Sequence, residues 1–266
     1  MSSAMDPFKR AQPNHEIAEC HRRISPDPSL EADHRKIAVQ CDALRLDEPQ
    51  IIIPNKSVHF KHVIGEICAF PWASLTCEEM ADVAGAYYFF SIQFRESLAE
   101  ARRLYPADAD LRRLEAEECD TDNLSPWPGV AAAGERMDHD EFIRRTLALL
   151  PRMATKIAAS DAIGRHYLAA TRAQASEARA ACLASYEDGG LERVFRSMLQ
   201  FPRWNDNALL QAFRHFLSEH VRFDAGSEES HGALCRNIPF DDRILPLWQS
   251  FRDLLVETVP TISRIS

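Results

Sequence analysis

Apolar positions along this chain recur at steps of three and four residues, the spacing that turns one face of an α-helix towards a core. From residue 75 the pattern predicts a long helix to about 105. Thr76 is placed to cap it, Glu78 and Glu79 sit at its positive end, and the apolar stripe runs through Tyr87, Phe90, Phe94 and Leu98. Pro106 helps to stop it, and a shorter helix is expected over 108–119. Residues 120–129 hold Asn123, Pro126 and Pro128, which reads as a turn and a break. A third helix is predicted over about 131–150, ended or kinked at Pro151, and a fourth over about 161–186, closed by Gly189-Gly190. Short helices follow around 191–199 and 208–224, and a last one near 241–259 carries Leu245, Trp248, Leu254 and Leu255. Strand-like alternation is almost absent, so the expected fold class is all-α, a bundle of seven or more helices.

The first 55 residues break this pattern. They contain Pro13, Pro26, Pro28 and Pro49, many charges, one short helical stretch over 30–44 and the triplet Ile51-Ile52-Ile53. We read 1–55 as a partly irregular arm, an ordinary surface extension before a lid, and 56–266 as one helical domain. Hydrophobic content of 45% suffices for a substantial core. The formal net charge of −9, with 31 basic and 40 acidic residues, and the absence of a basic stripe speak against nucleic acid. No stretch approaches the roughly 18–20 apolar residues of a membrane span, and the N-terminus lacks the apolar segment of a secretory signal. Seven cysteines (Cys20, Cys41, Cys68, Cys77, Cys119, Cys182 and Cys235) include no CxxC pair, which argues against a thiolate zinc site and a disulfide framework. Reduced thiols in a cytoplasmic protein are the expectation. The apolar last helix leaves open internal docking or a homodimer seam.

Candidate chemistry is concentrated in His220-Val-Arg-Phe-Asp224-Ala-Gly-Ser-Glu228-Glu-Ser-His231. Offsets of four, seven and eleven residues return to nearly the same side of a helix, so two imidazoles and a carboxylate would share one stripe. Mixed nitrogen and oxygen donors suit iron or manganese. Four upstream places offer partners: Glu117-Glu118, Glu135 with His139, Glu187, and Glu96. Each has an ordinary reading as a solvated acid or a surface pair, and it is their co-occurrence in one helical chain that points to a metal site.

The order Glu118…His139…Glu187…His220-x3-Asp224…His231 resembles the heme-oxygenase-like diiron oxidase and N-oxygenase superfamily over about residues 70–260. That resemblance implies a heme-oxygenase-like helical domain and two Fe(II) ions, with manganese as the other metal, held by Glu118, His139, Glu187, His220, Asp224 and His231. It also implies O2 as co-substrate, a small-molecule substrate that is an amine or amino acid, and an external electron donor as a further partner. Two departures stand out. The family's last histidine usually lies three residues beyond the aspartate, where this chain has Ser227, with Glu228 as the substitute ligand beside it. The spacing from Glu118 to His139 is long, with Glu135 as the rival and Glu96 as a further alternate. Arg95, Arg136 and Arg214 are candidates for a substrate carboxylate, and Tyr87, Tyr88, Phe89, Phe90, Phe94 and Trp127 for apolar walls or plain core. Metal-free alternatives of the same fold are a thiaminase-like enzyme using Cys119 or Cys182 and a cofactorless oxidase. A heme oxygenase would need His59 or His62 as its proximal ligand. A helical binding protein without activity is the non-enzymatic alternative.

Overall fold

A computed structural model of the chain describes residues 59–151, 154–224, 235 and 237–263, all within one compact unit that spans Ile53–Ser266. The stretch 30–44, the triplet Ile51–Ile53, Glu228 and His231 lie outside the described residues. The described part is all-helical, with two isolated bridges, Thr121 to Met137 and Trp127 to Ala131, in place of strands.

The chain begins with α1 (His59–Cys68), which buries Phe60, Val63, Ile64 and Ile67. The sequence reading had placed no helix there. Its stripe is one turn short of the length that makes periodicity stand out, and packing against the last helix and the helix at Leu191–Met198 sustains it. Then comes α2 (Cys77–Leu104), about 42 Å long at 1.5 Å per residue. Thr76 Oγ1 accepts from Glu79 N at 3.1 Å while the Glu79 carboxylate accepts from Thr76 N at 2.7 Å, a complete capping box. The expected stripe proves to be only part of its buried surface. Met80, Val83, Ala84, Tyr87, Phe90, Gln93, Phe94, Ser97 and Leu98 are all buried, because α2 is the axis around which the other helices pack.

Next are α3 (Ala109–Glu118), capped by Asp108, and α4 (His139–Ala148). The third predicted helix therefore starts eight residues later than expected. The Thr121–Met137 bridge and the positive-φ glycines Gly129 and Gly134 hold 121–137 as a hairpin-like loop, with a cis peptide at Ser125-Pro126. The fourth predicted helix is two, α5 (Ala154–Arg172) and α6 (Ser176–Ser185). No glycine or proline marks that corner. Packing decides it: α5 and α6 both lie against α2, and the Ser176 side chain bonds Glu100 of α2. A π-helical turn, Tyr186–Gly190, links α6 to α7 (Leu191–Met198), followed by α8 (Ala208–Asp224) and α9 (Leu245–Thr258). Among the described residues no helix is long and apolar enough to cross a membrane.

Replacing Thr76 by alanine should destabilise the protein by about 1 kcal/mol, read from chemical denaturation. Hydrogen bonds from Thr261 and from the Thr76 backbone hold the Glu79 carboxyl below its ordinary range. A depressed carboxyl stabilises above its unfolded pKa and loses that contribution as pH falls through the folded one. The effect of Glu79→Gln should therefore be present at neutral pH and fade in acid; an effect that grows in acid would contradict the capping box.

Candidate metal centre

Three elements bring three donors together. Glu118 is the last residue of α3, His139 the first of α4, and His220 lies near the end of α8 on the face that also buries Phe213, Phe216 and Leu217. All three side chains are buried, and one donor atom from each lies within 4.8 Å of the others. Glu118 Oε2 is 2.7 Å from His139 Nδ1, which is 3.1 Å from His220 Nε2. The long Glu118-to-His139 spacing is bridged by the loop, whose Thr121–Met137 pairing returns the chain to the end of α3.

The partners behind the imidazoles fix which nitrogens face inward. Asn123 Nδ2 donates to the Glu117 carbonyl at 2.8 Å, which leaves its Oδ1 to face His139 Nε2 at 3.1 Å. That nitrogen must therefore carry the hydrogen. The Phe216 carbonyl can only accept, so His220 Nδ1, 2.8 Å away, is the donor there. With His139 Nε2 and His220 Nδ1 engaged from behind, His139 Nδ1 and His220 Nε2 face each other and a carboxylate oxygen. At 2.7 and 3.1 Å these atoms are held together either by a proton on His139 Nδ1 or by a cation among them. An outer hydrogen bond that orients an imidazole towards a metal is the usual arrangement at such sites. Bonds of about 2.1 Å meeting at right angles place neighbouring donors about 3 Å apart, close to what is seen. The donor set fits a divalent transition metal.

Glu187 lines the same cavity without joining the group of three. It is buried on the π turn, where the helix is interrupted at Asp188 (φ −74°, ψ 42°) and Gly189 (φ +76°). Only glycine takes that positive φ without strain, and such turns are frequent at functional sites. Gly190 admits no side chain, since a Cβ there would collide with the Ser185 carbonyl oxygen and the Trp248 ring. Tyr186 is anchored from within: its hydroxyl and that of Tyr167 both donate to Gln93 Oε1 at 3.2 Å, and Gln93 Nε2 donates to Ser97 Oγ at 2.7 Å. Burial pushes both phenols well above their ordinary range, so they remain donors.

Asp224 closes α8 one turn beyond His220, and its side chain lies outside the described part. The alternates Glu96 and Glu135 stand elsewhere. Glu96 is clamped by Arg172 at 2.5 Å and faces Arg179 at 3.5 Å. Glu135 was expected one helical turn from His139, but it sits in the loop ahead of α4, bound to Arg145 at 2.7 Å and to Ala132 N at 2.8 Å. The outward histidines of α1 pair with carboxylates, His59 with Asp242 and His62 with Glu66, both at 3.3 Å.

The cavity is small, with about 20 Å³ of room for water-sized contents, and it opens to solvent on one side. Tyr87, Phe94, Leu191 and Phe216 are its apolar walls. Of the other aromatic candidates, Phe89 and Phe90 are core and Trp127 stacks on His215 at 4.4 Å. Comparison with known protein families, curated proteins and solved structures finds no match.

Asn123 had been read only as a turn former. Its contact with His139 crosses 16 residues and leaves no mark in local spacing. The Phe216 carbonyl is backbone and carries no sequence signal at all.

Proposed function

We propose that this protein is an O2-activating non-heme diiron oxidase or oxygenase with a heme-oxygenase-like fold, acting on an amine or amino acid. The single observation that carries the metal part is the convergence of two imidazole nitrogens and a buried carboxylate oxygen, each imidazole bonded to an acceptor from behind. Glu118, His139 and His220 would hold one ion. By resemblance Glu187 and Asp224 would serve the second, with His231 or Glu228 completing it. Bound ferrous ions supply two electrons to dioxygen, chemistry no side chain offers alone. The chain's own part is to orient the imidazoles through Asn123 and the Phe216 carbonyl, and to exclude water with Tyr87, Phe94, Leu191 and Phe216.

A cysteine nucleophile finds no support in this cavity. Burial, with Asp138 and Glu118 nearby, pushes the Cys119 thiol up to about 12, and burial pushes Cys182 to about 12. Both stay protonated near neutral pH.

Anaerobic titration with Fe(II) should reach two equivalents per chain, and exposure to oxygen should produce a transient absorbance. One equivalent would leave a mononuclear centre, and none would leave a helical binding protein.

A further inference from the structure

Among the described residues that line the cavity, Arg95 is exposed, Cys119 and Asp140 are half-buried, and the rest are buried, so the cavity meets solvent at this corner. The room inside, about 20 Å³, is that of about one water molecule, which suits an ion and no bulky body. Arg95 is also the one arginine or lysine among the described lining residues. Its Nε and Nη2 donate to the two Asp140 oxygens at 3.1 and 2.8 Å, and Nε lies 3.7 Å from the Asp138 carboxylate. These two acids flank His139 in the sequence, so the guanidinium of α2 lies across the start of α4, next to a metal donor. A positive charge there opposes the site behind it. It repels any divalent ion that passes, and it occupies carboxylates that would otherwise draw one in. The other two arginine candidates are elsewhere. Arg136 faces Asp120 at 3.5 Å in the loop, and Arg214 is exposed on α8 outside the lining.

We propose that Arg95 is the gate of the metal centre: its guanidinium closes the cavity by clamping Asp140 and swings off before a divalent cation enters or leaves. The clamp is a two-bond fork on a carboxylate, the geometry in which arginine holds best. Of the two partners Arg95 is the one free to move, with 44% of its side chain exposed against 12% for Asp140. Its long stem can rotate into solvent while Asp140 stays with α4. Once the fork has left, the Asp140 carboxylate faces the incoming ion ahead of His139 and Glu118, and closing again leaves the ion enclosed. A gate lowers or raises the barrier in both directions, so it sets how fast metal exchanges and barely changes how tightly metal is held. The inference rests on the metal-centre reading, because without an ion the gate has nothing to admit.

A plain strut between α2 and α4 would show the same ion pair, and exchange rates separate the two readings. Co(II) is mixed with the metal-free full chain and its visible absorbance is followed by stopped flow. Release is followed after adding excess EDTA, which is too large for the cavity. Arg95→Lys keeps the charge and loses the fork. Uptake and release should both quicken by about tenfold, the worth of one charge-assisted hydrogen bond, with Kd within about threefold of the parent. Arg95→Gln also removes the charge, so its uptake should rise further, by roughly a hundredfold. Arg136→Gln makes the same change in net charge from outside the lining and should exchange at the parental rate. Circular dichroism checks that each variant folds. Parental exchange rates in Arg95→Lys, or equal acceleration by Arg136→Gln, overturn the gate and leave the metal reading in place. A parent protein that takes up no Co(II) overturns the metal reading and the gate with it.

Discussion

Replacing His220 by alanine is expected to abolish the binding of at least one iron while leaving the helical fold in place. His220 supplies one of the three donors that meet within 4.8 Å, so two remain. Loss of an outer partner alone costs roughly 10–100-fold in metal affinity, and loss of a direct ligand should exceed that. Asn123→Ala tests the lower figure, because it frees His139 to take the other tautomer without removing a donor. A metal that binds only the folded protein raises its stability by about 2.7 kcal/mol at roughly a hundredfold over Kd. The thermal shift on adding Fe(II) or Zn(II) should thus be large in the parent, reduced in Asn123→Ala and smallest in His220→Ala. Unchanged iron stoichiometry in His220→Ala would remove the ligand helix from the centre.

Trp248→Ala should be the most damaging core substitution near the site, at about 3–5 kcal/mol. The ring has no exposed surface, meets Tyr186 edge-on at 4.9 Å between centroids, and donates Nε1–H to Ser185 Oγ at 2.9 Å. It thus packs against both residues that lead into the π turn. Its removal leaves a cavity beside Ser185, Tyr186 and Gly190 and frees the turn to move, so an ion held through Glu187 would be lost before one held by the two histidines. Trp248→Phe keeps most of the volume and loses the hydrogen bond, a cost of about 1 kcal/mol. Chemical denaturation gives the first result and iron stoichiometry the second. A loss below about 1 kcal/mol for the alanine variant would mean that the turn is not supported from this side.

Much of the fold was legible because it is local. The capping box at Thr76 and Glu79, the stop near Pro106, the bounds of α8 and the glycine-marked end at Gly189 all follow from chemistry within a turn or two of the chain. The failures share one cause. The late start of α4, the corner between α5 and α6 and the extra helix α1 depend on what each segment packs against, and periodicity is blind to that. The same division runs through the site. Glu118, His139, Glu187 and His220 stood out because they co-occur in one helical chain in an order that resembles a diiron family, and all four line one cavity. Glu135 was a false rival, because a helical spacing was read into a stretch that is not helical.

What the sequence determined by itself is therefore the all-helical class, most helix ends and the residue types able to bind a metal, since each is set by neighbours along the chain. What the tertiary structure alone decided is how they meet. The Glu118–His139–His220 group spans α3, α4 and α8, the tautomers are set by Asn123 and a backbone carbonyl, and one arginine of three stands at the mouth. The Phe216–His220 bond is local, but the others reach across 16 residues from His139 back to Asn123 and 102 from His220 back to Glu118, distances that only packing can close.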